Sequence, residues 1–156
     1  MSKILIVDDE VKACNLLKRI LDADENKYNV MVSYSGEDAL EKVKSFEPTL
    51  ILLDIKMPGI DGMEVLRQVR KFDKNVGIIM LTAIIDKDVA DEAFRMGADD
   101  YISKPVQVSF LESRIFIDIM SKKIIRKKMR SNKSKKETGD DYFGQYINSL
   151  RHKRED

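Results

Sequence analysis

The chain has 156 residues, of which 43% are hydrophobic and 35% are charged, a composition typical of a soluble globular protein. No apolar run approaches the ~20 residues that a membrane-spanning helix requires. The first apolar run ends at Asp8, which is too early for the hydrophobic region of a secretory signal peptide. The single cysteine, Cys14, cannot form an intramolecular disulfide. We therefore expect a cytoplasmic protein that does not bind membranes.

The net charge of +1 hides an asymmetry along the chain. Residues 1–120 contain 16 Lys and Arg and 22 Asp and Glu, a net charge of −6. Residues 121–156 contain 12 Lys and Arg and 5 Asp and Glu, a net charge of +7. Because the two parts differ so strongly in charge, we expect one acidic domain over residues 1–120 and a basic extension over residues 121–156.

Short apolar runs alternate with helical patterns through the first 120 residues. The runs predict buried strands at Ile4–Val7, Tyr28–Tyr34, Leu50–Leu53, Val76–Leu81 and Tyr101–Ile102. Apolar residues at helical spacing follow each run: Val11, Leu16, Leu17, Ile20 and Leu21; Ala39, Leu40, Val43 and Phe46; Met63, Leu66 and Val69; Val89, Ala93 and Met96; and Val108, Leu111, Ile115 and Ile119. Five successive βα units predict an α/β fold with a parallel sheet covered by helices on both faces.

The sequence also predicts where some of the helices begin and end. Ser35 is a predicted N-cap of the second helix, and Pro48 is predicted to end that helix. Asp86 and Asp88 are predicted to open the fourth helix. Gly97 is predicted to stop it, because glycine readily adopts the left-handed conformation that follows many helices.

Polar residues stand where the predicted strands end. Asp8 and Asp9 follow the first strand, Asp54 follows the third, Thr82 follows the fourth, and Lys104 lies just beyond the fifth. The carboxyl ends of parallel strands meet at one edge of the sheet, where ligands bind in open α/β folds. We therefore expect these five side chains to form one site, although Asp8 and Asp9 alone would more often act as a helix N-cap.

The chemistry of this residue set favours phosphoryl transfer. Three neighbouring carboxylates repel one another unless a cation compensates their charge, and Mg²⁺ prefers oxygen ligands from carboxylates, waters and phosphates. Lys104 would keep Asp54 ionised, and an ionised carboxylate is a competent nucleophile. The metal, Lys104 and the Thr82 hydroxyl would together neutralise a transferring phosphoryl group.

Over residues 1–120, the sequence resembles the receiver domain of two-component response regulators. Five blocks in the expected order carry this resemblance: Val7–Glu10, Leu53–Gly62, Met80–Ala83, Gly97–Tyr101 and Lys104–Pro105. The resemblance implies a doubly wound (βα)5 flavodoxin-like fold with five parallel strands in the order 2-1-3-4-5. It also implies a signalling switch that catalyses only its own phosphorylation and slow dephosphorylation.

The resemblance implies a metal site with defined ligands. Asp54 would be both the phosphoacceptor and a ligand of Mg²⁺, with Mn²⁺ as an alternative metal. Asp9 would be a direct ligand, and Asp8 would act mainly through a metal-bound water. The backbone carbonyl of Lys56 would complete the protein ligands.

The resemblance also implies residues for switching and for the phosphoryl lifetime. Thr82 and Lys104 would contact phosphoryl oxygens, and Tyr101 would change rotamer as Thr82 moves. Lys56 and Ile84 occupy the two positions that tune dephosphorylation. Ile84 has no carboxylate or amide to position a hydrolytic water, so we predict slow self-dephosphorylation. The bond between Lys104 and Pro105 would be cis.

The resemblance implies partners as well. A sensor histidine kinase would supply the phosphoryl group, and a downstream protein would bind the face formed by the fourth helix, fifth strand and fifth helix. Phosphorylated receivers often pair through this face, so a phosphorylation-dependent homodimer is an open alternative. A phosphorelay intermediate, which passes the group to a histidine-phosphotransfer protein, would use the same site residues.

Two other classes fit the residues less well. An aspartyl-phosphate hydrolase uses a second Asp two residues after its nucleophile, and Lys56 stands at that position. A flavin-binding protein of the same topology would need phosphate-cradling loops rich in Gly, Ser and Thr. Acidic residues stand there instead.

The family resemblance does not explain residues 121–156. Ser121–Lys136 contains nine Lys and Arg and no acidic residue, and Ile124, Ile125 and Met129 predict that the fifth helix continues for about two turns. Phe143, Ile147 and Leu150 predict a short amphipathic helix. The 36 residues are too few for a separate DNA-binding domain. The open alternatives are a solvated tail, a segment that binds a protein partner, and, less favoured, a segment that binds nucleic acid or anionic lipid.

Overall fold

The computed structural model describes residues 1–137, and the side chains of residues 1–133. Strands and helices alternate along this part of the chain. The strands are β1 (Lys3–Val7), β2 (Asn29–Ser33), β3 (Leu50–Leu53), β4 (Gly77–Thr82) and β5 (Asp100–Ser103). The helices are α1 (Val11–Asp22), α2 (Gly36–Phe46), α3 (Gly62–Phe72), α4 (Lys87–Arg95) and α5 (Val108–Glu137).

The five strands form one sheet in the order β2-β1-β3-β4-β5, and every neighbouring pair is parallel. This is the α/β flavodoxin-like topology, and the predicted order 2-1-3-4-5 is confirmed. The chain switches direction across the sheet between β1 and β3, which is where ligands bind in doubly wound folds.

Both faces of the sheet are covered by helices, which explains why β3 and β4 are buried along their whole length. On one face, buried side chains of α2, α3 and α4 pack against the sheet. On the other face, buried side chains of α1 and α5 do the same. The sheet is therefore the middle layer of three, and only the ends of its strands are left uncovered for a polar site.

The helix boundaries follow the predicted capping chemistry. The Ser35 side chain caps α2 by accepting a hydrogen bond from the Asp38 backbone N–H at 3.1 Å. The α2 helix ends at Phe46, one residue before Glu47 takes up a left-handed conformation and two before Pro48. The Asp86 side chain caps α4, and Gly97, with a φ of 103°, follows its C-cap as predicted.

The predicted helices are present, but two details go beyond what the spacing of apolar residues indicated. Val11 and Leu16 belong to the helical pattern of α1, yet they are 48% and 59% exposed. The buried residues of α1 are Cys14 and Leu21, because only one face of a surface helix packs against the core. In addition, α5 continues to Glu137 and so exceeds the predicted extension of about two turns.

The chain divides into two units, residues 1–119 and residues 120–156. Within the second unit, the structure describes the end of α5, whose side chains Ile124, Ile125 and Met129 are all exposed. The predicted amphipathic helix around Phe143, Ile147 and Leu150 lies outside the described residues. Within the described part of the chain, no helix is both long enough and apolar enough to cross a membrane.

Candidate functional site

Backbone hydrogen bonds bring the predicted site residues to one edge of the sheet. Asp8 donates its backbone N–H to the carbonyl of Ser33 at 3.1 Å, and Asp54 donates to Val7 at 2.9 Å. Lys104 donates to the carbonyl of Thr82 at 2.8 Å. These bonds continue the parallel ladders just past the last residues of the strands. The strand order therefore fixes the backbone of the site.

Three carboxylates meet at this edge. One oxygen each from Asp8, Asp9 and Asp54 lies within 4.8 Å of the other two. The side chain of Asp8 is 5% exposed and that of Asp54 is 12% exposed, whereas Asp9 is exposed to solvent. Packing three like charges so closely is unfavourable without a compensating cation.

Lys104 supplies one compensating charge. Its Nζ donates hydrogen bonds to Oδ2 of Asp8 and, at 3.2 Å, to Oδ2 of Asp54. Partial burial lowers the pKa of Lys104, but the hydrogen bond that Lys104 donates to Asp8 and the charges of Asp54 and Asp8 outweigh this effect, so the pKa is raised overall. Lys104 is therefore a fixed positive charge between two carboxylates at neutral pH.

One buried carboxylate oxygen of the cluster has no hydrogen-bonding partner within residues 1–133. Oδ1 of Asp54 is buried and accepts no hydrogen bond from the residues that the structure describes. A buried anionic oxygen of this kind is costly unless a ligand pairs with it. The donor set consists of carboxylate oxygens, which suits a hard divalent cation such as Mg²⁺ better than a transition metal that prefers nitrogen or sulfur. The residues present therefore fit the predicted metal.

Asp8 differs from Asp54 in that both of its oxygens have protein partners. Oδ1 accepts from the backbone N–H of Glu10 at 2.9 Å, and Oδ2 accepts from Lys104. Beneath it, the Cys14 thiol donates to the Asp8 carbonyl at 3.2 Å. The N-cap of α1 is Glu10, which makes no side-chain capping bond, so Asp8 and Asp9 are not the N-cap of this helix.

The loop after β3 carries the Lys56 carbonyl. Ile55 and Met57, on either side of Lys56, are 5% and 7% exposed and pack into the core. The loop closes where the Gly62 N–H donates to the Ile55 carbonyl at 2.7 Å. A Cβ atom on Gly62 would lie 2.0 Å from the carbonyl oxygen of Asp54, so glycine is required at this closure.

Thr82 and Tyr101 both form hydrogen bonds with the backbone of Ile84. Oγ1 of the fully buried Thr82 accepts from the Ile84 N–H at 3.3 Å. The Tyr101 hydroxyl donates to the Ile84 carbonyl at 2.7 Å. Burial, followed by the charges of Asp86 and Asp54, raises the pKa of Tyr101, so its hydroxyl remains a donor. A movement of Thr82 would therefore act on the backbone of Ile84, whose carbonyl binds the Tyr101 hydroxyl.

The structure thus places Asp8, Asp9, Asp54 and Lys104 together, and it links Thr82 to Tyr101. The cis peptide bond between Lys104 and Pro105 is confirmed. The sequence did not indicate that the Cys14 thiol binds the Asp8 carbonyl or that the Ile84 backbone contacts both predicted switch residues. Neither contact has a signal in the sequence, since both use backbone atoms that every residue possesses.

Comparisons with known proteins agree with this fold. The family model for the response regulator receiver domain matches residues 4–116. A CheY-like receiver domain protein from Methanospirillum hungatei has a TM-score of 0.75 and 29% identity, over 79% of this chain and 97% of that one. The structure of response regulator TrrA from Thermotoga maritima, in complex with Mg(2+)-BeF, has a TM-score of 0.68 and 36% identity, over 76% and 99% of the two chains. The BeF3-activated N-terminal receiver domain of RstA from Klebsiella pneumoniae has a TM-score of 0.71 and 30% identity, over 76% and 98%.

Proposed function

Because the chain belongs to the response regulator receiver domain family, we propose that it accepts a phosphoryl group on Asp54 in a Mg²⁺-dependent reaction and signals by a conformational switch. Receiver domains are signalling switches of two-component systems rather than classical enzymes. The observation that carries the proposal for this chain is the buried Oδ1 of Asp54, which has no hydrogen-bonding partner in the described part of the chain. It lies in a cluster of three carboxylates beside Lys104.

The chain's own residues perform the transfer by positioning and by charge. A carboxylate oxygen of Asp54 forms the new O–P bond, while the P–N bond to the kinase histidine breaks and the imidazole leaves with the electron pair. Lys104 stabilises the negative charge on the phosphoryl oxygens as its contact with Asp54 loosens. The Thr82 hydroxyl, held at present by the Ile84 N–H, would turn to donate to another phosphoryl oxygen.

Asp54, Asp9 and the Lys56 carbonyl would hold the metal directly. Asp8 would act through a bound water, a role supported by the fact that both of its oxygens already have protein partners. When bound, Mg²⁺ supplies positive charge to the transferring group. Mn²⁺ is the alternative ion, since it accepts the same oxygen ligands.

The switch would run from Thr82 to Tyr101. When Thr82 turns toward the phosphoryl group, Ile84 loses the acceptor of its N–H, and the carbonyl that holds the Tyr101 hydroxyl is free to shift. Tyr101 belongs to β5, between α4 and α5. The face formed by these three elements is therefore the proposed site for a downstream protein or for a phosphorylation-dependent homodimer.

The phosphoryl group is expected to be long-lived. Ile84 and Lys56 occupy the positions that tune hydrolysis, and Ile84 cannot orient a water through a polar side chain. We expect a half-life well above the range of seconds, measured by loss of protein-bound phosphate after the donor is removed.

A sensor histidine kinase is the proposed phosphoryl donor, in keeping with the family. We propose residues 1–120 as the receiver and residues 121–156 as a basic extension in a cytoplasmic protein. The extension would assist in binding the downstream protein, and nucleic acid is the less favoured target. A phosphorelay intermediate is the alternative function, and phosphate transfer to a purified histidine-phosphotransfer protein would distinguish it.

The central test is intact-mass spectrometry after incubation with acetyl phosphate and Mg²⁺. We expect wild type to gain one phosphoryl group and Asp54→Asn to gain none. EDTA should abolish the gain, because the transferring charge then lacks its cation. Equal phosphate incorporation in wild type and Asp54→Asn would reject the proposal.

A further inference from the structure

The first turn of α2 holds the loop that follows β3. Oε1 of Glu37 accepts a hydrogen bond from the backbone N–H of Ile60 at 3.0 Å. The same carboxylate lies against Gly59, whose φ is +77°, and a Cβ atom there would come within 2.5 Å of Oε1. Glu37 therefore contacts the backbone of two consecutive residues in a loop more than twenty positions away in the sequence.

Gly36 lets the two segments approach this closely. A Cβ atom on Gly36 would lie 2.5 Å from Cγ1 and 2.7 Å from the carbonyl oxygen of Ile60. Any other residue at position 36 would push the loop away from α2. Ile60 also packs against the core cluster on this face of the sheet. The contact thus depends on a glycine in each segment and on the acceptor oxygen of Glu37 between them.

The loop is fixed at its ends by its own residues. Ile55 and Met57 are buried in the core, and the Gly62 N–H closes onto the Ile55 carbonyl at 2.7 Å. Glu37 adds a hydrogen bond in the second half of the loop, at the backbone N–H of Ile60. The backbone hydrogen bond lowers the pKa of Glu37, so the carboxylate is charged and is a strong acceptor at neutral pH.

From these contacts we infer that Glu37 is a positioning residue for the metal site, acting through the β3–α3 loop that carries the Lys56 carbonyl. The inference rests on the proposed function, in which this carbonyl is a metal ligand. The physical reason is preorganisation: a backbone carbonyl can bind a small, rigidly coordinated ion such as Mg²⁺ only if the loop already holds it in place. Without Glu37, the loop would have to become ordered when the metal binds, and this ordering would weaken the binding.

The expected size of the effect is moderate. Loss of a group that orients a metal ligand costs roughly 10–100-fold in affinity when it touches the ligand directly. Glu37 acts on Ile60, four residues beyond Lys56, so we expect Glu37→Ala to weaken Mg²⁺ binding by about three- to tenfold. Glu37→Gln keeps an acceptor oxygen and should stay within about twofold of wild type.

The experiment compares wild type, Glu37→Ala, Glu37→Gln and Glu41→Ala in the full-length protein. Glu41 is an exposed glutamate one turn further along α2, so its removal deletes the same charge from the same helix. Mg²⁺ affinity is measured by calorimetry, and exchange of the Ile60 amide hydrogen is measured by NMR without metal. Thermal unfolding without metal reports on stability.

We expect faster Ile60 exchange and weaker Mg²⁺ binding in Glu37→Ala alone. At saturating Mg²⁺, its phosphorylation by acetyl phosphate should return to the wild-type rate, so only the half-saturating Mg²⁺ concentration rises. A purely structural role would lower the unfolding temperature and leave the Mg²⁺ affinity unchanged, which would overturn the inference. Equal weakening in Glu37→Gln and Glu41→Ala would also overturn it, because charge rather than the hydrogen bond would then be responsible.

The failures of the two proposals are distinguishable. If wild type binds Mg²⁺ and gains phosphate while Glu37→Ala matches it in affinity, the positioning role is wrong and the proposed function stands. If wild type binds no Mg²⁺ by calorimetry, the proposed function fails, and the positioning role fails with it.

Discussion

Two clusters of cations and carboxylates lie at opposite edges of the sheet, and they differ in how completely their groups are paired. At the amino-terminal edge, Arg70 donates to the Gly97 carbonyl at 2.9 Å, to the Asp73 carbonyl at 3.1 Å and to Oδ2 of Asp99 at 3.2 Å. Oδ2 of Asp99 also accepts from the Ile78 N–H at 2.8 Å. We call this group the Arg70 cluster.

At the carboxyl edge, one lysine faces three carboxylates, and one oxygen of Asp54 has no partner among the described residues. The Arg70 cluster fixes α3 to the turn before β5 and has partners for its donors, so it contributes to stability. The acidic cluster around Asp54 has an excess of negative charge, so it is suited to bind a cation. The comparison teaches that the balance of partners, rather than the presence of charged groups, separates a structural cluster from a candidate site.

The largest expected effect comes from breaking the Arg70 cluster. Burial lowers the pKa of Arg70 although the charge of Asp99 opposes this, and its side chain is only 13% exposed. Arg70→Met keeps much of the packing but removes the guanidinium charge beside Asp99 and the donor to the Gly97 and Asp73 carbonyls. We expect the free energy of unfolding to fall by about 3 kcal/mol, measured by urea denaturation.

The matched control for this change is Arg67→Met on the same helix. Arg67 pairs with Glu64 at the surface, where the two side chains are 46% and 33% exposed, so the loss should be much smaller than that of Arg70→Met. Similar losses in the two variants would show that the Arg70 cluster is not the stabilising feature we take it to be.

The second effect tests the acidic cluster by adding the cation that we propose it binds. A ligand that binds only the folded state raises the free energy of unfolding by about 2.7 kcal/mol when its concentration is 100 times its dissociation constant. We expect Mg²⁺ to stabilise wild type and Arg70→Met by this amount, measured as a shift in the denaturation midpoint. Asp9→Asn should abolish most of the shift, since it removes a proposed direct ligand.

The effect of Asp9→Asn on the stability of the metal-free protein distinguishes the two clusters further. In the absence of Mg²⁺, Asp9→Asn should leave stability unchanged or raise it, because one of three repelling charges is removed. A loss of stability in metal-free Asp9→Asn, comparable with that of Arg70→Met, would place the acidic cluster among the structural ones.

Most of the fold could be predicted from the sequence because two kinds of signal agree. The apolar runs at Leu50–Leu53 and Val76–Leu81 are bounded by turn residues, and they become the central strands of the sheet. The backbone placement of Asp54 and Lys104 then follows from parallel strand geometry alone. The fold and the set of residues at the site edge were therefore within reach of sequence reasoning.

Three features were not within reach. The length of α5 depends on Lys and Arg, which are good helix formers without an apolar pattern to reveal them. The exposure of Val11 and Leu16 depends on how α1 is rotated against the sheet, which spacing does not determine. The contacts of Glu37 and Cys14 depend on which backbone atoms the folded loops bring near, and no pattern of residue types encodes that.

The smallest expected effect concerns Cys14, which lies beneath the acidic cluster and has no counterpart in the Arg70 cluster. Burial, followed by the charge of Asp8, raises the pKa of Cys14 from 9.0 to about 12. The folded protein therefore keeps the thiol proton between pH 9 and pH 12, whereas the unfolded chain releases it. The stability contributed by the neutral thiol is fully present below pH 9 and is lost as the pH rises toward 12.

The difference in unfolding free energy between wild type and Cys14→Ala isolates this contribution, because the two proteins share their other titrating groups. We expect the difference to shrink by roughly 1 kcal/mol between pH 8 and pH 10, measured by urea denaturation at each pH. A difference that stays constant over this range would mean that the thiol ionises equally easily in both states. Burial and the charge of Asp8 would then not be what keeps the Cys14 thiol protonated in the folded protein.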